Sequence, residues 1–495
     1  MLQTRLPVVY PRLWKLYNNI RLIDGLGPCR RNVELIDMGA LPMINRMAAT
    51  GLQVDLDHFA KMQKSLSDDM ERCVEDIRSI TGYYVNPGSG DQVADLLFKK
   101  LGLKQARRKM TPSGDRESVA DEVLTAIQHE HPVVPHLQDY KEFEKLKGTY
   151  VDPMFSLAVH VAHDEWRMFP NLNHTRVTSG RLSCKDPNLL AMPTRTDRGR
   201  EIRKGFITKS GWSIVSIDES QIEVRIAAHR SKDPNLIRVY QNQEDIYSDF
   251  ATFANKLPDQ RYKDAEGWHY PTVDKMKHRR PAKISVLACI YDVTAMGLQD
   301  QMPVVCANCF HDGKVHTEKA RAKAAENGES QACHRFVPLW IETACQNQIN
   351  QFYQRYSYLI PMRRADHAYM RRNAYMVDMW GRILHTQGVR SVHDWVVANT
   401  LREGSNHPMQ SGAQGTIKIT MAAVDDDLDA CGESIYEVVH PLLQVHDELL
   451  FEVRDDMADE LGSMVKYRFE TLFPCFAVEI KASVAKATSW GLLPK

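Results

Sequence analysis

No run of apolar residues is long enough to cross a bilayer as a helix, and the opening M-L-Q-T-R-L-P-V-V-Y-P lacks the apolar core of a secretory signal. No membrane helix or leader is expected, and the chain is placed in the cytoplasm, that of a host cell if its source is viral. Net charge is missing too, since 63 Lys and Arg balance 63 Asp and Glu. A uniformly basic surface is excluded, but a polyanionic ligand needs only a local positive groove. Cysteine is sparse, at 10 in 495 residues. In this setting most read as reduced thiols, with one cluster near Cys306 set apart. The length suffices for roughly two to four domains with substantial cores.

Two apolar runs are interrupted by acid. In W-S-I-V-S-I-D-E-S-Q-I-E-V-R, from Trp212, Ile214, Val215 and Ile217 form a buried strand that ends at Asp218. Alone, Asp218 reads as a turn residue or as the N-cap of a helix through Ile222, Ile226 and Ala227. The second run, L-L-Q-V-H-D-E-L-L-F-E-V, breaks at His446, Asp447 and Glu448. Carboxylates gathered in one sheet repel unless a cation lies between them, and oxygen ligands suit Mg²⁺. Two such ions about 4 Å apart are the arrangement of two-metal phosphoryl transfer.

Both runs resemble motifs of the family A DNA polymerases, the DNA polymerase I-like enzymes. D-E-S-Q-I-E-V-R is similar to their first palm motif and Q-V-H-D-E to their last. The resemblance implies a mixed α+β, right-hand fold: an antiparallel palm sheet with a helical thumb and helical fingers. It divides the chain into a short N-terminal segment (1–40), thumb (41–150), first palm part (151–231), fingers (232–395) and second palm part (396–495). Residues 1–40 carry a short helical pattern around Leu13, Leu16, Ile20 and Ile23 and are too few for the exonuclease domain common in the family. No proofreading is therefore expected; a nuclease or processivity factor in trans, and a monomeric chain, fit this reading.

From Glu34, E-L-I-D-M-G-A-L-P-M-I-N-R-M-A-A-T-G-L-Q-V-D resembles the segment leading into the thumb. Phe59, Met62, Leu66, Met70, Val74 and Ile77 then recur at helical spacing, with Asp55 or Asp57 as cap and Gly82 as stop. A shorter helix around Val93 to Leu101 leads to Lys104, Arg107, Arg108 and Lys109. By composition these are a solvated face; at a thumb tip they would grip duplex phosphates. In T-R-V-T-S-G-R-L-S-C-K-D-P-N-L-L-A, the resemblance gives Arg181 and Asn188 contacts near the primer end, while Ala191 replaces a second Asn.

Glu223 stands where the family blocks a ribose 2′-hydroxyl, with Gln221 beside it in the nucleotide pocket. Glu219 replaces a usual Tyr; alternation along an extended chain predicts that it faces solvent or is salt-bridged instead of binding metal. In D-I-Y-S-D-F-A, Tyr247 replaces a His that touches the triphosphate. H-R-R-P-A-K-I-S-V-L-A-C-I-Y-D places Arg279, Lys283, Leu287 and Tyr291 on one helical face. It resembles the fingers helix, with Lys283 and Arg279 on the phosphates and Leu287 and Tyr291 lining the pocket. Leu287, Val286, Ala288 and Asp292 replace the usual aromatic, Asn, Gly and final Gly, and the Leu suggests a phage source.

C-A-N-C-F-H-D-G-K-V-H and A-C-H-R-F lie in an insertion at about 303–336. Cys306 and Cys309 have zinc-knuckle spacing, and Cys333 with His334, His311 or His316 completes a structural Zn²⁺ site; free thiols are the alternative. F-Y-Q-R-Y from Phe352 and W-G-R-I-L from Trp380 restore the resemblance, and N-H-P-M-Q-S-G-A-Q-G-T-I-K assigns Asn406 and Gln410 to the minor groove of the terminal pair. The whole implies an enzyme that extends primer-template DNA with dNTPs. Asp218 and Asp447 hold two Mg²⁺ ions, Glu448 and Lys283 join them as catalytic residues, and His446 with Glu448 supports the primer end. Alternatives are a single-subunit RNA polymerase, which Glu223 opposes, and an inactive DNA-binding accessory subunit, which the intact acids oppose.

Overall fold

A strand that reads I-V-S-I at its centre has no face to give to solvent, so it has to run through the middle of a sheet covered on both sides. The computed structural model describes residues 32–104, 117–128, 130–162, 164–193, 197–265, 267–302, 304–306 and 336–494. In it Trp212–Glu219 is flanked by Glu448–Arg454 and Ala482–Ala487, and Val439–Val445 completes a four-stranded antiparallel sheet. Ile214 turns to Leu443, Leu450, Phe59 and Phe206, and Val215 and Ile217 turn to Ile417, Met421 and Leu461. Each such side chain contributes about 1.5–3 kcal/mol when fully buried. Burial on both faces fixes the strand ends.

The first long helix spans Leu56–Thr81; the Asp55 carboxylate accepts from His58 N (2.9 Å), and Gly82 ends it at φ 72°. Its buried stripe is Phe59, Met62, Leu66, Asp69, Cys73 and Ile77. Met70 and Val74, expected in that stripe, are half-buried, because Asp69 turns inward to Arg198 as well as to Arg72. A carboxylate thus occupies a core position by carrying its own cations.

Before Leu41, Asp37 is tied to two distant segments: Arg382 and the fully buried Lys418 each reach it at 2.6 Å. Burial would raise the Asp37 carboxyl, but the two cations more than offset it and hold it below its usual range. Lys418 belongs to the 37-residue helix Asp394–Ala430, which passes straight through the boundary expected at 395/396. That helix carries side chains from the Tyr375–Val377 and Ile383–His385 hairpin down to the central sheet.

Helices Ile246–Ala254, Arg280–Ile290 and Glu342–Arg355 share a core of Phe250, Val286, Cys289, Phe352 and Tyr356. Val304–Cys306 and Phe336–Pro338 pair antiparallel, closing the two ends of the expected insertion. Cys309, His311, His316, Cys333 and His334 lie outside the described residues, as do the Cys306 side chain, the pattern from Leu13 to Ile23, and Arg107, Arg108 and Lys109. Lys104 is exposed.

Candidate active site

The sheet places the acids by register. Asp218 lies directly opposite Glu448, and Glu219 N donates to Asp447 O at 3.0 Å. Asp218 is therefore no helix cap; the helix Ile222–Ser231 starts after Gln221, whose φ is 57°. His446 takes the left-handed region (φ 58°) in the two-residue turn between Val445 and Glu448, turning Asp447 back beside Asp218. Like charges opposed across two strands are destabilising, and two groups draw Glu448 aside. Ser216, on the Asp218 face, donates its hydroxyl to Glu448, and the buried Arg203 adds positive potential. Gln444 donates to His446 O and stands 3.5 Å from Gln414 of the long helix, which steadies the turn.

Burial, Glu223 and Glu448 together raise the Asp447 carboxyl above its usual range. An acid that resists ionising among other acids is a place where a cation lowers the energy, and hard oxygen donors fit Mg²⁺.

Glu219 does not behave as its alternating position suggested. It is neither solvent-facing nor, among the described residues, salt-bridged: at 1% exposure, both carboxyl oxygens lie buried with no hydrogen bond from any described residue. Its strand face is covered by the long helix, where Thr416 stands close by but donates its hydroxyl to Ala413 O at 2.6 Å. Burial, then Asp447 and Asp218, push the carboxyl well above its ordinary 4.5. A folded-state pKa raised in this way stabilises the fold below the unfolded value and loses that contribution as pH rises. Glu219→Gln is expected to gain about 1–3 kcal/mol at alkaline pH and little near the ordinary carboxylate pKa. Thermal unfolding in EDTA across that range measures it; an equal shift at both ends would show that charge is not the cause.

The second group of residues faces these acids. Arg181 pairs with Glu223 at 2.7 Å, and both Glu223 and Gln410 meet the Tyr291 phenol. Burial first, then Glu223, raises that phenol far above its usual range. Asn406 Nδ2 donates to Tyr291 O at 3.1 Å. Five residues from four distant stretches thus form one connected cluster.

Along the same helix, Arg279 is held by Asp245 through contacts of 2.8 and 3.2 Å. Arg279 and Lys283 stand over the Tyr247 ring at 5.4 and 5.6 Å from its centroid. Lys283 is exposed and has no carboxylate partner among the described residues. Burial and Asp245 push the Tyr247 hydroxyl up to about 12, so it remains a proton donor at neutral pH. Leu287 is half-buried against the helical core. Asp292 has φ 60°, a conformation that Gly takes freely and Asp tolerates. It is paired with Arg363, whose guanidinium also donates to Cys289 O and Ile290 O at 2.6 Å each, ending the helix. Asn188 is exposed at the start of the turn Leu189–Ala191, and Gln221 accepts from the Tyr240 hydroxyl at 3.0 Å.

Ser216, Arg203, Gln414, Gln444 and Asp245 were missed as site residues by sequence reasoning. Ser216 and Gln444 had a visible signal, since each is a polar residue inside an otherwise apolar strand. Asp245 and Gln414 had none, because their partners are distant in sequence.

The DNA polymerase family A model matches residues 56–317 and 339–492. The chain belongs to DNA polymerase family A. It is 29% identical over 448 residues to the thermostable DNA polymerase I of Thermus caldophilus, covering 90% of this chain and 46% of that protein. It is also 27% identical over 460 residues to DNA polymerase I of Rhizobium leguminosarum, covering 92% of this chain and 40% of that one. The chain thus spans less than half the length of these relatives. Among solved structures, the POL domain of Pol1 from M. smegmatis, in complex with DNA primer-template and dNTP, superposes with a TM-score of 0.73 at 27% identity, covering 92% of this chain and 70% of that one. The right-hand fold of the family A polymerases, with its antiparallel palm sheet, is therefore the fold of this chain. No helix among the described residues is long and apolar enough to cross a membrane.

Proposed function

We propose that the chain extends the 3′ end of a primer on a DNA template with dNTPs. The observation that carries this reading is the acid pair Asp218 and Asp447, set together by the Glu219 N to Asp447 O bond, with Tyr247 under Arg279 and Lys283 and Glu223 against the Tyr291 phenol both within electrostatic reach of Asp447. Asp218 and Asp447 would hold Mg²⁺, which when bound supplies Lewis-acid activation of the primer hydroxyl and of the leaving pyrophosphate. The primer 3′ oxygen loses its proton and bonds to the α-phosphorus as the bond to pyrophosphate breaks. Lys283 neutralises phosphate charge directly, and Arg279 does so by exchanging Asp245 for a phosphate oxygen. Tyr247 donates a hydrogen bond from beneath both cations and, unlike a His at this place, does not change charge near neutrality.

Glu223 would deny space to a 2′-hydroxyl, while Asn406 and Gln410 check the minor-groove side of the terminal pair, where correct pairs present similar acceptors. Glu448, restrained by Ser216, and His446 support the primer end. Lys104 and Asn188, both exposed, would meet the DNA backbone.

Extension of a labelled primer with dNTPs, repeated with rNTPs and with EDTA, tests the reading. The expected result is extension with dNTPs in Mg²⁺ alone. Preferred use of rNTPs would favour an RNA polymerase, and DNA binding without extension in Mg²⁺ would favour an accessory subunit. An unmatched primer end left intact by the pure protein would agree with the absence of proofreading.

A further inference from the structure

The long helix carries the residues assigned to the minor groove, and its sequence continues their face outward. Trp395, Asn399, Arg402, Asn406 and Gln410 recur at spacings of four and three residues and fall within an arc of about 80°. The opposite face is apolar: Val397 and Leu401 pack on Met370, Met376, Tyr369 and Val389. The polar stripe therefore starts at Tyr291, which Asn406 and Gln410 contact, and ends at Trp395, about 16 Å along the helix axis from Asn406.

The outer end of this stripe is unlike ordinary surface. Trp395 is 68% exposed and Val392 90%, and the Trp395 ring stacks near His393 with centroids 6.4 Å apart. Arg402 donates to Asn399 at 3.4 Å, while its Nε is buried without a hydrogen bond among the described residues. Arg402 forms no ion pair with a carboxylate among the described residues, and neither do the exposed Arg371, Arg372 and Arg390 next to this hydrophobic cluster. Two exposed acids, Asp394 and Glu403, lie on the same helix, so cations outnumber anions here.

We infer that this ledge binds the unpaired template strand ahead of the base being copied. Exposed rings set among unpaired arginines suit single-stranded nucleic acid, which offers both a phosphate chain and free base faces. A duplex would use the arginines alone, because its bases are already stacked. The inference rests on the polymerase reading. On it, Asn406 and Gln410 lie at the terminal pair, and the stripe leads away from them to the ring that receives a template base.

The test is fluorescence anisotropy with labelled primer-templates carrying either one unpaired template base or roughly eight, a length within the usual span of a single-strand site. The native chain is expected to bind the long overhang about tenfold more tightly. Trp395→Ala should lose most of that gain while Trp395→Phe keeps it. Equal weakening of Trp395→Ala on both substrates would overturn the inference in favour of a duplex contact or a packing role, and no weakening on either would favour a protein partner. Extension by the native chain, measured alongside, separates the two readings. If primers are extended but affinity ignores the overhang, only the ledge fails; if nothing is extended, the polymerase reading fails.

Discussion

Asp218→Ala is expected to reduce primer extension by about 10³-fold or more, while affinity for primer-template changes less than about threefold. The asymmetry follows from where the residue stands. Asp218 is at the end of a strand whose neighbours Ile217 and Val215 are fully buried, so the backbone holds its place whatever side chain it carries. On the proposed reading DNA is held by other residues, the exposed Lys104 and Asn188 among them. What disappears is one of the two carboxylates that would hold Mg²⁺, and several kcal/mol of transition-state charge stabilisation correspond to about three or more powers of ten in rate. Single-turnover extension and equilibrium DNA binding, measured on one preparation, check both halves. Extension within tenfold of the native rate would sink the assignment of the metal site.

The second large effect concerns the sugar. Glu223→Ala is expected to lower discrimination against rNTPs by about 100-fold, through a rise in rNTP use with dNTP use falling much less. Glu223 cannot readily swing aside in the native chain, because Arg181 holds one carboxylate oxygen at 2.7 Å and the Tyr291 phenol meets it from the fingers helix. Shortening the side chain removes the obstacle and leaves Arg181 without its anion. That pair is partly exposed, so its loss costs the fold no more than about 1 kcal/mol. The measurement is kcat/KM for a dNTP and for the matching rNTP. An unchanged ratio would move the sugar filter to another residue, with Tyr291 the first to examine.

Glu219→Gln probes the same acidic end of the sheet from beneath. Its readout is stability against pH instead of rate, so it distinguishes a buried acid that merely burdens the fold from one that takes part in the chemistry.

Much of this arrangement was legible in residue order. The helix capped by Asp55 and ended at Gly82, the strand through Asp218, which runs one residue further to Glu219, and the basic face from Arg279 to Tyr291 follow from periodicity and end signals. Local rules failed where a neighbour came from far away. Met70 and Val74 lost their places in the core to an aspartate because Arg198 arrives from another segment to neutralise it. Alternation along the strand predicts that Glu219 faces solvent or is salt-bridged, but alternation says only that it faces away from Asp218. Whether that face is wet depends on the helix Asp394–Ala430, which covers it.

The sequence alone determined that this chain holds acids at strand ends and cations on one helix face, because such patterns depend on neighbours a few residues apart. Only the tertiary structure decided what each charge meets: Arg181 meets Glu223, Arg279 meets Asp245, Asp292 meets Arg363, and the Glu219 carboxyl finds no hydrogen-bond donor among the described residues. Electrostatic partners are chosen by distance in space, which the spacing of residues along the chain does not encode.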